Sequence, residues 1–396
     1  MPSKPAHPEH PVVKITAKGA SRLKAGHVWV YRSDIENAAG VPPGALVDVQ
    51  DHRGRVVGSA LYSTASQITL RLISRQALGQ ADLPGLLAER LRAAIQFRRQ
   101  MVKETDAYRV VFSEADQLPG LIVDRYHEVI SLQALTQAMD QRKEDIAAVL
   151  WDELGPASIV ERVDPRIREL EQLPPGEAHL LRGEQTKTVI TMNGVKFHCD
   201  ALGGQKTGAF LDQRENYAAA AQYARGQALD VFCYQGGFAL HLAGKCSSVT
   251  AVDSSRPALE QADQNAALNN QEVEWIEANA FDLLRDYADS GRQYDTVVLD
   301  PPAFAKSKRV LDGALRAYKE LNLRALKMLR PGGTLVTCSC SFHVSEAEFL
   351  AVVGEAASDA GRIVRLIEKR GQAKDHPVLV GVPETSYLKC LVLQAI

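Results

Sequence analysis

The chain has 396 residues, with 46 Lys+Arg against 48 Asp+Glu, 45% hydrophobic residues and six cysteines. Its length predicts two or three domains, and no run approaches the roughly 20 consecutive apolar residues of a membrane span. The cysteines have no close pair except Cys338 and Cys340, which excludes a disulfide framework and a zinc-ligand spacing, and the opening MPSKPAHPEHP lacks the apolar core of a secretory signal, so a reducing cytoplasm is expected.

Net charge is uneven: residues 1–80 carry +5 and the remaining 316 carry −7. The positive end is the natural place for a polyanion. After a start expected to be disordered, short alternating runs at 12–15, 27–31, 46–50, 56–61 and 68–73 are separated by turn signals such as Pro42-Pro43-Gly44. They predict a small antiparallel β-barrel or sandwich over residues 1–74. Trp29 and Tyr31 share a strand face and read as core aromatics rather than a base-stacking platform.

Residues 75–185 form a second, mixed α/β unit. A helix is predicted from the spacing of Leu86, Leu87, Leu91, Ala94 and Ile95, with strands at 109–112 and 121–123 after it. Leu118-Pro119-Gly120 has the residues of a type II turn. Glu114, Asp116 and Asp124 near it have no His or Cys to complete a metal site, so solvated or substrate-positioning charges are expected and no metal.

Asn193-Gly194 between two β-rich runs is the strongest hairpin signal in the chain, and the third domain, residues 186–396, is placed from there. Strands at 228–232, 248–252, 273–278, 296–299 and 333–338 alternate with amphipathic helices, which predicts a parallel doubly wound sheet. Two last strand candidates, 363–367 and 387–393, suggest an antiparallel pair closing it.

In such a sheet the ligand lies beyond the carboxyl ends of the strands. The first strand leads into Phe232-Cys233-Tyr234-Gln235-Gly236-Gly237, a close-approach turn without the Gly-x-Gly-x-x-Gly that a dinucleotide pyrophosphate wants. The second ends at Asp253, placed to accept from two ribose hydroxyls, and the third near Asn279, whose amide can meet an adenine edge. Ribose and adenine without pyrophosphate point to S-adenosylmethionine. The fourth strand ends Asp300-Pro301-Pro302-Ala303-Phe304, a rigid turn that sets Asp300 and Phe304 toward the sulfonium. The fifth ends Thr337-Cys338-Ser339-Cys340-Ser341. Cys340 is either a small buried hydrophobe or a nucleophile that attacks C6 of a pyrimidine, making C5 reactive toward the methyl group.

The stretches 113–125 (SEADQLPGLIVDR), 205–214 (QKTGAFLDQR), 232–238 (FCYQGGF), 300–304 (DPPAF), 339–341 (SCS) and 375–377 (DHP), taken as an ordered set, resemble the bacterial 23S ribosomal RNA cytosine-5 methyltransferases of the RlmI type. The resemblance implies an N-terminal PUA-like domain, a central α/β domain and a C-terminal Rossmann-like class I methyltransferase domain, with large-subunit ribosomal RNA as partner and a homodimer left open. It makes Gln213 and Arg214 contacts to the donor's amino-acid end, Asp253 the ribose ligand, Asn279 an adenine contact and Cys340 the nucleophile. Phe232, Tyr234, Gly236, Asp300 and Pro301 complete the expected donor-binding set. Enzymes of this chemistry with two catalytic cysteines carry the second after a proline in the fourth-strand motif, which has no Cys here. The proton-removing base therefore falls to Asp300 or a bound water, with Cys338 third. Methylation of a guanine ring nitrogen or an exocyclic amine through the Asp-Pro-Pro-x-Phe turn is the rival reading, which Cys340 disfavours. A non-catalytic RNA-binding module is disfavoured by the intact Gly236, Asp253, Asn279 and Asp300.

Overall fold

β-branched and alternating runs fold as strands where the pattern places them, and two short elements join them unannounced. The computed structural model describes residues 11–203, 209–305 and 307–396; the start expected to be disordered and residues 205–208 of the family motif lie outside the described residues. The chain divides into two compact units, the first holding residues 11–189, 199–203 and 374–385, the second 190–198, 209–373 and 386–396.

The first unit opens with β1 (Val12–Ile15), α1 (Ala17–Lys24), β2 (Trp29–Tyr31), β3 (Ile35–Asn37), β4 (Leu46–Gln50), β5 (Val56–Tyr62) and β6 (Ile68–Ser74), in the sheet order β2-β6-β5-β4-β1-β3. One pair departs from the antiparallel expectation: β1 runs parallel to β4. The 30 residues between them hold α1, β2 and β3, enough for the crossover that a parallel pair requires. Helix α1 starts on Thr16, whose hydroxyl accepts the Gly19 N–H at 3.2 Å. Trp29 and Tyr31 are half-buried with ring centroids 6.4 Å apart, and the Trp29 indole N–H donates to Glu114 at 2.9 Å.

The same unit continues through α2 (Leu83–Met101), β7 (Ala107–Phe112), β8 (Leu121–Tyr126), β9 (Val129–Ala134), α3 (Gln137–Asp140), α4 (Lys143–Leu154), β10 (Ser158–Glu161), α5 (Pro165–Leu170) and β11 (His179–Gly183), with sheet order β11-β10-β9-β8-β7. Helix α2 buries Leu83, Leu87, Leu91, Ala94 and Ile95 in a core shared with Leu46, Leu61 and Ile73 of the first sheet. The Leu118-Pro119-Gly120 turn forms, with φ +81° at Gly120 and the Leu121 N–H donating to the Leu118 carbonyl at 3.0 Å.

The nearby acids are not solvated, contrary to expectation. Asp124 is fully buried and takes both Arg109 Nε at 2.8 Å and Arg109 Nη2 at 3.1 Å; Asp116 pairs with the buried Arg98 and accepts the Phe112 N–H at 2.6 Å. Residues 374–385 complete this arrangement. The Asp375 carbonyl accepts from Arg98 at 2.7 Å, and its carboxylate accepts the Arg109 N–H at 2.8 Å. These acids satisfy buried arginines, and no cluster of His, Cys, Asp and Glu able to hold a metal occurs among the described residues. No helix among them is long and apolar enough to cross a membrane.

β12 (Lys187–Met192) and β13 (Val195–Asp200) form the expected hairpin, with Asn193 at φ 51° and Gly194 at φ 84°, the left-handed pair of a type I′ turn. The second unit then runs α6 (Arg214–Tyr223), β14 (Gln227–Val231), α7 (Gly237–Ala243), β15 (Ser248–Asp253), α8 (Arg256–Leu268), β16 (Glu274–Glu277), α9 (Ala280–Asp289), β17 (Tyr294–Leu299), α10 (Leu311–Met328), β18 (Leu329–Ser339), α11 (Glu346–Asp359), β19 (Val364–Arg370) and β20 (Lys389–Ala395). Its seven-stranded sheet has the order β16-β15-β14-β17-β18-β20-β19. The first five strands pair in parallel, and β20 lies antiparallel between β18 and β19. The strand order reverses at β14, which has β15 on one side and β17 on the other.

Removing one partner of a buried, doubly hydrogen-bonded ion pair leaves the other charge uncompensated, at about 3–5 kcal/mol. Asp124→Ala should therefore lower the urea midpoint of the first unit by that equivalent. A loss below about 1 kcal/mol would mean that the Arg109 pair contributes as little as an exposed one.

Candidate active site

The reversal at β14 is where an open α/β sheet holds its ligand, and the chain there is built for close approach. Past β14, the Phe232 and Cys233 N–H groups donate to the Val252 carbonyl at 2.9 and 3.0 Å, folding the loop back over β15. Phe232 (φ 68°), Tyr234 (φ 48°) and Gly236 (φ 84°) all take left-handed backbone. For Phe and Tyr this conformation costs roughly 1–2 kcal/mol each, and such strain clusters at functional sites. At Gly236 an added Cβ would press on Trp275 at 3.0 Å.

Three acids stand at the carboxyl-end side of β14, β15 and β17 around this loop. Asp253 accepts the Tyr234 N–H at 2.9 Å on Oδ2 and the Ser255 N–H at 2.9 Å on Oδ1, so each oxygen keeps a lone pair. Asp230, which the sequence reading missed, is fully buried; its Oδ2 accepts the Ala239 N–H at 2.8 Å and its Oδ1 has no partner among the described residues. Burial first, and the charge of Asp300 after it, push this carboxyl well above the usual range. Its signal was an Asp inside the apolar run Ala228 to Val231, where an unpaired acid has no structural reason to be.

Asp300 follows β17, its N–H donating to the Val231 carbonyl at 3.2 Å. The Gln213 side-chain amide donates to Asp300 Oδ1 at 2.8 Å, while Gln213 Oε1 accepts from Asn216 at 2.6 Å. Asn216 in turn accepts from Arg370 Nε at 3.0 Å, so Gln213 is held in one orientation by a buried chain. Arg214 is almost wholly buried at the start of α6 and ion-pairs with Glu215 at 3.8 Å. Asn279 caps α9: its Oδ1 accepts the Phe281 and Asp282 N–H groups at 2.9 and 3.4 Å, which leaves the NH2 half of the amide for a ligand. Its neighbour Ala278 donates to the Asp253 carbonyl at 3.0 Å, tying the third strand's end to the second's.

At the end of β18 and just past it, Ser339 and Ser341 are fully buried and both lie 3.0 Å from the Tyr318 hydroxyl. They pin the turn from inside. Cys340 between them is half-buried, with its Sγ 3.8 Å from the Pro301 carbonyl, and so stands next to Asp300. Cys338 differs: it is fully buried opposite Cys390, and burial pushes its thiol well above the ordinary value. That removes the third candidate for a proton-accepting base.

The carboxylates of Asp253 and Asp300 suit a positively charged donor, and the raised proton affinity of the buried Asp230 beside them follows from burial and the crowding of acids. S-adenosylmethionine carries an ammonium and a sulfonium, and its ribose hydroxyls match the free lone pairs of Asp253. The residues present therefore fit it. Ribosomal RNA large subunit methyltransferase I of Shewanella amazonensis is 40% identical over 390 residues, spanning 96% of this chain and 98% of that protein. The chain belongs to this methyltransferase family. The same-named protein of Shewanella denitrificans is 38% identical over 393 residues. Residues 131–393 match the S-adenosylmethionine-dependent methyltransferase family and residues 13–75 a PUA-like domain. The fold is shared, at 18% identity, with a candidate methyltransferase crystallised with SAH (TM-score 0.83) and a candidate SAM-dependent methyltransferase from Streptococcus mutans (TM-score 0.82), each covering 97% of this chain.

In this methyltransferase the donor is S-adenosylmethionine, and two outcomes test where it lies and which thiol is open. Charge-assisted hydrogen bonds are worth roughly 1.5–3 kcal/mol each, so Asp253→Ala should weaken donor binding in calorimetry by one to a few orders of magnitude. Unchanged affinity would put the donor elsewhere. Iodoacetamide at pH 8 should modify Cys340 and spare Cys338, as read by peptide mass spectrometry, and equal labelling would contradict the buried, protonated state of Cys338.

Proposed function

We propose that this methyltransferase transfers a methyl group to C5 of a cytosine in 23S ribosomal RNA through a covalent adduct on Cys340. The reading rests on the place of Cys340: a half-buried thiol just past β18, beside the Asp300-Pro301 turn that ends the neighbouring β17. It is supported by relatives whose names specify large-subunit ribosomal RNA. A cytosine C5 is not nucleophilic until C6 is attacked, whereas an amine already has a lone pair. Only the former needs a thiolate.

In this scheme the Cys340 sulfur bonds to C6 and the C5–C6 π pair becomes available at C5. Bound S-adenosylmethionine supplies the methyl group. Asp300, oriented by Gln213 and the Pro301 turn, or a water it holds, takes the C5 proton; the C6–S bond then breaks and Cys340 leaves as thiolate. Asp253 holds the ribose, Asn279 meets the adenine through its NH2, and Phe232, Tyr234 and Gly236 bring backbone against the donor. Arg214 and Gln213 stand at its amino-acid end. Residues 1–74, with their excess of positive charge, are assigned to RNA binding, and the reaction to the cytoplasm. The rival amine chemistry would stack the base on Phe304. That ring lies 5.0 Å from Tyr318 and 6.0 Å from Phe281 and packs on the core, which weighs against it.

Cys340→Ser exchanges a thiol of ordinary pKa near 8.5 for a hydroxyl that does not ionise near neutrality. Turnover should fall to background while donor binding persists. RNA carrying 5-fluorocytosine has no C5 proton to lose, so it should trap the wild-type protein and not the variant, as a band shift in denaturing gels. Full activity in Cys340→Ser, or trapping without this thiol, would overturn the cytosine-5 reading.

A further inference from the structure

Strand β20 reads Lys-Cys-Leu-Val-Leu-Gln-Ala, and Lys389 is its one charged side chain. It is only 9% exposed. A lysine in such a strand normally turns its ammonium to water, because burying it unpaired is expensive. Here Nζ stays inside, donating to the Ser341 carbonyl at 2.6 Å and the Tyr387 carbonyl at 2.9 Å, and its third N–H has no acceptor among the described residues. Ser341 is the residue after Cys340. In the β18–β20 pairing Lys389 sits opposite Ser339, the residue before it. The ammonium is thus held against the turn that presents the thiol, and a negative Cys340 would stabilise it.

We propose that Lys389 is a positioning residue that keeps Cys340 in its thiolate form, a role that rests on the cytosine-5 reading above. The other charged or titratable groups facing the pair, among the described residues, are Asp300, beside Cys340 at the Pro301 turn and opposing its negative charge, Glu348 of α11, which acts on Lys389, and Tyr318 of α10, which acts on Cys340. Burial raises the Tyr318 hydroxyl, so it is neutral around pH 7. Burial lowers Lys389 to about 8, against the pull of Cys340 and Glu348. At pH 7 a group of that pKa is about nine-tenths protonated. Lys389 therefore acts as a fixed positive charge rather than as a base, and the proton lost by Cys340 goes to solvent. An opposite charge at close range lowers a thiol's pKa by roughly one to three units. The support holds below pH 8 and fades above it, as Lys389 gives up its own proton.

The test is the pH dependence of Cys340 alkylation by iodoacetamide in the full chain without RNA, followed by mass spectrometry of the Cys340 peptide. Lys389→Met removes the charge and both hydrogen bonds. Lys389→Gln removes the charge and keeps a donor for the Ser341 carbonyl, and it serves as the measurement should the Met variant not fold. Lys389→Arg keeps the charge. The midpoint is expected to rise by about one pH unit in both neutral variants and to stay near wild type in Lys389→Arg. Because a less acidic thiol is also more nucleophilic once ionised, the rate at pH 7 should fall by about three- to fivefold rather than tenfold. A midpoint in Lys389→Gln equal to wild type would overturn the inference, reducing Lys389 to a tie on the Ser341 carbonyl. The two readings fail separately. An unmoved midpoint in a protein that is still trapped on 5-fluorocytosine RNA sinks only the role of Lys389, whereas turnover without Cys340 sinks the cytosine-5 chemistry.

Discussion

The second unit depends on one topological constraint: parallel strands have all their carboxyl ends on one side, and their order reverses at β14. Most of the polar groups at the candidate site enter through that geometry, Gln213 and Arg214 at the start of α6 being the exceptions. Asp230 belongs to β14, Asp253 ends β15, Asn279 follows β16, Asp300 follows β17 and Cys340 follows β18. Four of these residues stand at or just past the carboxyl ends of their strands, and Asp230 lies one residue before the end of its own. The sheet itself is apolar around them, with Leu229, Val231, Val252, Val297 and Leu299 buried in a single core, so the ladder fixes their spacing without competing for their hydrogen bonds.

That apolar surrounding makes the three acids unequal. Asp253 is half-exposed and satisfied by two backbone N–H groups, whereas Asp230 is sealed in with one oxygen unpartnered among the described residues. Carboxylates this close raise one another's affinity for protons, and full ionisation calls for a cation among them. The same contrast of environment separates Cys338 from Cys340. Two residues apart, one lies inside an antiparallel ladder opposite Cys390 and the other just past its end, and a thiol's chemistry follows the difference in solvation rather than the residue type.

Much of this was legible in the sequence, for physical reasons that also mark its limits. The Asn193-Gly194 hairpin, the five parallel strands and the Leu118-Pro119-Gly120 turn were readable because each rests on local chemistry: φ freedom, period, a fixed proline ring. Helix α1 was not, being eight residues long with a glycine inside, and β3 has only three. The parallel β1–β4 pair and the burial of Glu114, Asp116 and Asp124 depend on distant partners, Arg98 and Arg109 among them, that no local window contains. At the site, residues at strand ends were found because position alone names them. Asp230 and Lys389 were missed because they sit within strands, where a charged residue is easily read as a tolerated exception.

The excursion of residues 374–385 into the first unit has a consequence for how the protein is made. Arg98 and the Arg109 amide precede their acceptor, Asp375, by 277 and 266 residues. As the polypeptide leaves the ribosome from its amino end, roughly 5–20 residues per second, these donors emerge long before the group that satisfies them. The amino-terminal unit thus completes its polar interior only once residues 374–385 have emerged, and until then Arg98 lacks its Asp375 acceptor.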